Sequence, residues 1–278
     1  MDAIAAHCEG CSAPCSRTIR TARSRTSGEY RLGRAMGSIL SRNEPSDEPG
    51  TIHELLQGIR SHPFLKDRVA LKGGTALNLF TFNVPRLSVD IDLNYIGAVD
   101  RNGMLGERPK IEQALQAVCG RAGVQPRHVP SDHAGGKWRL SFNRVSGGTG
   151  TLEMDMNFML RVPLWPVERV DSRPVGTFDA KDIPIVDIHE LAAGKLAALL
   201  SRAASRDLFD TSQLLHVGGL DISRLRLAFV VYGGISRKDW RGVSLDDVNV
   251  DVAEVDAMLL PLLRGRDAPA RRDLPEWT

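Results

Sequence analysis

A chain of 278 residues, 42% of them hydrophobic, holds enough apolar material for the core of one large domain or two small ones. Its formal charge of +2 excludes attraction to nucleic acid by overall charge, so any RNA contact must come from a local patch. No apolar run reaches the roughly eighteen residues of a membrane span, and the N-terminus lacks the apolar centre of a signal peptide, so a cytoplasmic protein without membrane contact is expected.

Residues 1–42 are rich in Ser, Arg, Thr, Gly and Ala and show little periodicity. They predict a disordered extension over residues 1–49, or an upstream translation start with Met36 rather than Met1 as the true one. Cys8, Cys11 and Cys15, beside His7, have a spacing that suits zinc or an iron–sulfur cluster, but no second half-site follows and Cys119 lies far along the chain. An acidic Pro/Gly break at residues 43–50 ends the extension, and Ile52 to Ile59 begins the first helix.

Val69-Ala70-Leu71-Lys72 then reads as a short strand, Gly73-Gly74-Thr75 as a tight turn, and Ala76 onward as a helix start. Free N–H groups after two glycines, with the Thr75 hydroxyl beside them, suit phosphate oxygens. The plainer alternative is a turn in which Thr75 caps the helix. No Gly-Lys-Ser/Thr follows, so this is not a Walker loop. In Arg86-Leu87-Ser88-Val89-Asp90-Ile91-Asp92-Leu93-Asn94 apolar and polar residues alternate with the period of a half-buried strand, which puts Ser88, Asp90 and Asp92 on one face. Two carboxylates so close repel, and a hard divalent cation, Mg²⁺ or Mn²⁺, removes the conflict. Solvated strand faces carry such pairs too.

Val99 to Pro109 reads as a loop and Ile111 to Ala122 as a helix with Leu115 and Val118 inward. Gly147-Gly148-Thr149-Gly150 turns a hairpin between Trp138–Phe142 and Leu152–Phe158. In the second strand Glu153 and Asp155 share a face, and Asp155 is the choice for a third metal-binding carboxylate, with Glu153 its rival. Lys137, Arg139 and Arg144 around Trp138, with Arg86, form one basic group; Arg237, Lys238 and Arg241 beside Trp240 form another. Phosphate contact with base stacking holds single-stranded ends in this way.

After about residue 178 strands are expected to cease and helices to run to Leu263, with a mobile tail at 264–278. Lys195 interrupts an Ala- and Leu-rich helical stripe, and Asp207 and Asp210 share a face at i,i+3 after Arg206. By composition this is a salt-bridged helix pair in which Asp207 and Asp210 neutralise Lys195 and Arg206. The functional alternative has Lys195 reaching nucleotide phosphates.

Leu71-Lys72-Gly73-Gly74-Thr75-Ala76-Leu77, Arg86 to Asp92, Glu153-Met154-Asp155-Met156-Asn157, and Lys195 with Arg206-Asp207-Leu208-Phe209-Asp210 together resemble the AbiEii/AbiGii-type nucleotidyltransferase toxins, which include the mycobacterial MenT toxins within the polymerase-beta-like superfamily. The resemblance covers roughly residues 50 to 260. It implies an α/β (α+β) fold: a mixed-sheet nucleotidyltransferase domain at 50–178 and a helical half at 179–263 closing the site. It also implies Asp90, Asp92 and Asp155 as ligands of Mg²⁺ or Mn²⁺, Gly73 to Thr75 as the phosphate loop, and Lys195, Asp207 and Asp210 as the helical part of the site; strand alternation, independently, sets the Ser88 hydroxyl beside the metal and the incoming nucleotide. Where the wider superfamily has Gly-Ser in the loop, this chain has Gly-Gly-Thr. The implied activity is nucleotide transfer from NTP to the 3′ end of tRNA by a toxin paired with an antitoxin. A nucleotidyltransferase acting on a protein or small molecule is the alternative enzyme. A non-catalytic nucleotide- or RNA-binding module is the alternative outside enzymes, and it has no need of a third carboxylate.

Overall fold

The structure is a computed structural model that describes residues 47–88, 90–129, 135–144, 147–236 and 238–264. The expected N-terminal extension up to residue 46, with its cysteine group and Met36, and the tail from residue 265 lie outside the described residues. The described residues all fall within one compact unit.

Helix α1 (Asp47–Ser61) starts earlier than expected and takes Pro49 and Gly50 into its first turn. A proline there removes an N–H that has no helical partner in any case. Ile52, Leu55, Leu56 and Ile59 fall at i, i+3, i+4 and i+7 and are buried, which is the stripe that docks the helix. Strand β1 (Val69–Lys72) leads into the short helix α2 (Gly73–Ala76), which widens into a π turn at Leu77–Thr81.

Strand β2 (Asp90–Tyr95) is shorter than the alternation suggested. Arg86 bridges to Leu263, and the Leu87 N–H donates to the carbonyl of Leu262 (2.8 Å), so the expected first half of this strand is held by the C-terminal segment instead. Helix α3 (Arg101–Arg121) replaces the loop expected at Val99 to Pro109. Asp100 caps it by accepting from the Gly103 N–H, and buried Met104 anchors the first turns. Burial and a cap there outweigh the low helix propensity of Gly103, Gly106 and Pro109.

Strands β3 (Gln125–Val129), β4 (Gly136–Asn143), β5 (Thr149–Asn157), β6 (Glu168–Val170) and β7 (Ile183–Ile185) complete a seven-stranded sheet of order β3-β4-β5-β2-β1-β7-β6. The β4–β5 hairpin stands where its glycines put it. The sheet is mixed, as expected: β2 runs parallel to β5 and β1 to β7, and the other pairs are antiparallel. Strands therefore do not cease at residue 178, since β7 completes the sheet beside β1. Its Ile-Pro-Ile is too short to show a period and is buried throughout.

Three helices follow: α4 (Ile188–Arg202), α5 (Ser205–Val217) and α6 (Ile222–Ile235). A final segment contains α7 (Val252–Glu254), a π turn at Val255–Leu259 and a last 3-10 turn at Leu260–Leu262. Val250, Val255 and Leu259 of that segment bury Phe209 of α5 in a small second core. The main core lies on one sheet face, where Ile91, Leu93 and Tyr95 meet Trp138, Leu140 and Phe142 and Leu152, Met154 and Met156 under α1 and α3. No helix among the described residues is long and apolar enough to cross a membrane.

Candidate active site

The turn between β1 and α2 is shaped around one carboxylate. Gly73 has φ +73°, in the left-handed region, and a Cβ there would stand 2.0 Å from Oδ2 of Asp92. The Asp92 carboxylate thus lies directly over the glycine backbone. Gly74 is buried, and a Cβ on it would meet Nη2 of Arg86 at 2.9 Å and Oγ of Ser88 at 3.1 Å. Ser88 therefore stands behind Gly74 and precedes β2, so strand alternation does not carry it onto the face of Asp90. Thr75 is fully buried, and its hydroxyl donates to the backbone carbonyl of Asp90. The residue at the cap position is Lys72 and its side chain makes no cap bond, so Thr75 fastens α2 to β2 and does not cap the helix.

Asp92 pairs in register with Asp155 of β5 on one side and Lys72 of β1 on the other; Asp155 pairs in turn with Lys137 of β4. One row along, Asp90 faces Glu153, and Glu153 faces Arg139. All four carboxylates project from the sheet face opposite the core. Glu153 is neutralised by Lys137 (2.8 Å) and Arg139 (3.6 Å). That engagement favours Asp155 over Glu153 as the third carboxylate beside Asp92.

Withdrawal from water raises the Asp90 carboxyl above its ordinary value; Arg206, 3.6 Å away, opposes this, and Asp92 and Glu153 add to it. Asp155 is likewise raised, first by withdrawal from water and then by Asp92. Hard oxygen donors that repel one another in this way fit Mg²⁺ or Mn²⁺. Among the described residues no three His, Cys, Asp or Glu side chains come together as a group that could hold a metal ion, so Asp90, Asp92 and Asp155 share a sheet face without converging on one point.

Behind this face lies a buried ion network. Nζ of Lys195 is 2.9 Å from Oδ1 of Asp207 and 2.9 Å from Oδ2 of Asp210, and Arg202 donates to Oδ2 of Asp207 at 2.6 Å. Arg86 grips Asp210 with both nitrogens of its fork, Nε to Oδ1 at 2.8 Å and Nη2 to Oδ2 at 2.5 Å. Asn78 donates through Nδ2 to Oδ1 of Asp210 (3.1 Å) and to the carbonyl of Gly74 (3.0 Å). Burial alone would raise Asp210, but Arg86 and Lys195 outweigh it and hold the carboxyl well below the usual range. Asp207 is lowered in the same way against its burial, by Lys195 and Arg202.

Lys195 thus has the ion pairs of the salt-bridged reading. Arg206 does not: it faces Asp90, where Asp207 or Asp210 was expected. Arg86 is buried in the network and unavailable to a surface patch. Trp138 is also buried, facing the core away from Lys137 and Arg139, and cannot stack a base. Trp240 donates through Nε1 to the Gly233 carbonyl (2.8 Å) and packs edge-on against Phe229, while Lys238 pairs with Asp247 and Arg241 with Asp239. Arg237 lies outside the described residues. Sequence reasoning missed Asn78 altogether and gave Arg86 to a basic surface group rather than to this buried network. The signals were an arginine inside an apolar stretch and an asparagine one helical turn past Gly74.

A family model described as the nucleotidyl transferase AbiEii toxin of a type IV toxin–antitoxin system matches residues 54–274. The fold is similar to that of MenT4, a nucleotidyltransferase toxin from Mycobacterium tuberculosis H37Rv, with a TM-score of 0.53 at 19% sequence identity over 91% of this chain and 80% of that one. None of the curated proteins matches the chain in sequence.

Proposed function

Because the chain belongs to the AbiEii family of nucleotidyltransferase toxins, we propose that it transfers a nucleotide from NTP to the 3′ end of tRNA. By this reading it acts in the cytoplasm with Mg²⁺ or Mn²⁺, blocks translation, and is restrained by a cognate antitoxin. The observation that carries the reading is the register that sets Asp92 beside Asp155, two residues from Asp90, with the Gly73 backbone lying against Asp92.

Asp90, Asp92 and Asp155 would hold the divalent ion, which when bound makes the acceptor hydroxyl more nucleophilic and offsets charge on the phosphates. The triphosphate would meet backbone N–H groups of the Gly73-Gly74 turn next to those carboxylates, while the space at the two glycine Cα atoms is taken by Asp92, Arg86 and Ser88. Lys195 supplies positive charge from behind and is kept in place by Asp207 and Asp210. Asp210 itself is sealed from solvent, so its part is to fix Lys195, Arg86 and the Gly74 turn. The transfer forms a bond from the 3′-oxygen to the α-phosphorus, releases pyrophosphate and loses the hydroxyl proton to solvent.

The test is incubation with each α-labelled NTP, total RNA and Mg²⁺, with a protein lysate as the competing acceptor. Label on tRNA is expected, and a folded Asp92→Asn protein should lose at least ~10²-fold in rate. Label confined to protein or to small molecules would overturn the tRNA acceptor. Near-normal Mg²⁺-dependent activity of Asp92→Asn would overturn the metal assignment.

A further inference from the structure

The sheet face opposite the core is open over β3, β4 and β5. Thr149, Thr151 and Asp155 of β5, Arg139 and Asn143 of β4, and Gln125 and Arg127 of β3 are exposed there. The cations are aligned by register: Arg127 pairs with Arg139, Arg139 with Glu153, and Glu153 with Asp90. Lys137 occupies the neighbouring row, next to Asp155. A straight line across four strands therefore runs from a basic sheet edge to the catalytic carboxylates.

We infer that the single-stranded 3′ end of the acceptor lies on this face, entering over Arg127 and passing Arg139 and Lys137 so that its terminal hydroxyl reaches Asp90 and Asp92. The inference rests on RNA being the acceptor. Adjacent strands lie about 4.8 Å apart, so Arg127 and Asp90 are separated by about 14 Å. At about 3.4 Å per stacked nucleotide this is the span of about four, fewer when the chain is extended. Glu153 offsets part of the charge through Lys137 and Arg139, but Arg127 adds a third cation to the line, and the Arg139 and Lys137 side chains stay 48% and 40% exposed while paired. The pairs hold the cations in line, and phosphates compete for their exposed sides.

The line of cations suits phosphates, and one observation argues against a protein partner. None of the large exposed apolar side chains among the described residues lies on β3, β4 or β5. Trp138 faces the core, so contact is through phosphates and hydrogen bonds, tolerant of base sequence.

Binding of a short fluorescein-labelled single-stranded RNA to the full chain, followed by anisotropy across a salt series, tests this. Each lost phosphate contact lowers the salt slope by about 0.7, or about 5-fold in affinity at 0.1 M salt. Arg127→Gln with Arg139→Gln should thus weaken binding about 25-fold, with an unchanged thermal midpoint and unchanged NTP affinity by equilibrium dialysis. Arg169→Gln, on the β6 edge at the far side of the sheet, should bind like the wild type. Wild-type affinity in the double variant would overturn this surface and leave RNA transfer standing. Failure of the wild type to bind RNA would overturn both.

Discussion

At Gly73 the chain takes a left-handed φ and passes beneath the Asp92 carboxylate, so this one position needs a glycine for two reasons at once. Gly73→Ala should cost about 1–2 kcal/mol in backbone strain and push Asp92 away from Asp155, which calorimetry and transfer rate would read together. A variant with wild-type activity would show that the close approach has no role. Asp210 tests the buried network in the same way. Asp210→Asn leaves Arg86 inside the protein without its anionic partner and should cost about 3–5 kcal/mol in urea unfolding. A loss below 1 kcal/mol would mean that the Arg86 fork contributes little to the fold. The sequence alternation was sufficient to set Lys137 and Arg139 on the face opposite Trp138, and a basic-aromatic cluster within one strand contradicts that period.

At the level of elements, α4 and α5 are joined to the rest of the fold both by apolar burial, through Leu191, Ala192 and Leu214 in the main core, and by ions. Lys195 on α4 holds Asp207 and Asp210 of α5, and Asp210 holds Arg86 of the chain leading into β2. Lys195→Met keeps the stem and removes the charge, while Arg202 and Arg86 still serve the two aspartates. Stability should therefore fall by only about 1–3 kcal/mol. The same variant should raise KM for NTP if the ammonium also meets phosphate. Lower stability with unchanged KM and kcat would make Lys195 a purely structural residue. The partners of these ions were not legible beforehand because Arg86 and Asp210 are 124 positions apart. Helical spacing reports only neighbours within one element, so it paired Arg206 with the wrong carboxylates.

For the molecule as a whole, pH acts on stability through two opposed groups of carboxylates. Asp207 and Asp210 have folded values below their unfolded ones, so their contribution is present above the unfolded carboxylate range, near 3.9, and is lost as pH falls through the folded values. Urea midpoints should accordingly drop below about pH 4, and Asp210→Asn should flatten part of that acid limb. Asp90 and Asp155 have raised values, so they bind protons more readily folded than unfolded and subtract stability at neutral pH. Mg²⁺ should relieve this: at ten times its Kd it adds about 1.4 kcal/mol, and the rise in Tm should shrink as pH enters the carboxylate range. An Asp92→Asn protein with the full Mg²⁺ shift would place the ion elsewhere. Of all this the sequence determined what depends on a residue and its near neighbours: strand and helix periods, the Gly-Gly turn, the shared face of Asp90 and Asp92, and the β4–β5 hairpin. Only the tertiary structure decided which strands lie side by side. The parallel pairing of β2 with β5, the insertion of β7 beside β1 and the capture of Asp210 by Arg86 all join distant segments. Such contacts are selected by the burial and neutralisation they achieve in three dimensions, to which a local pattern carries no address.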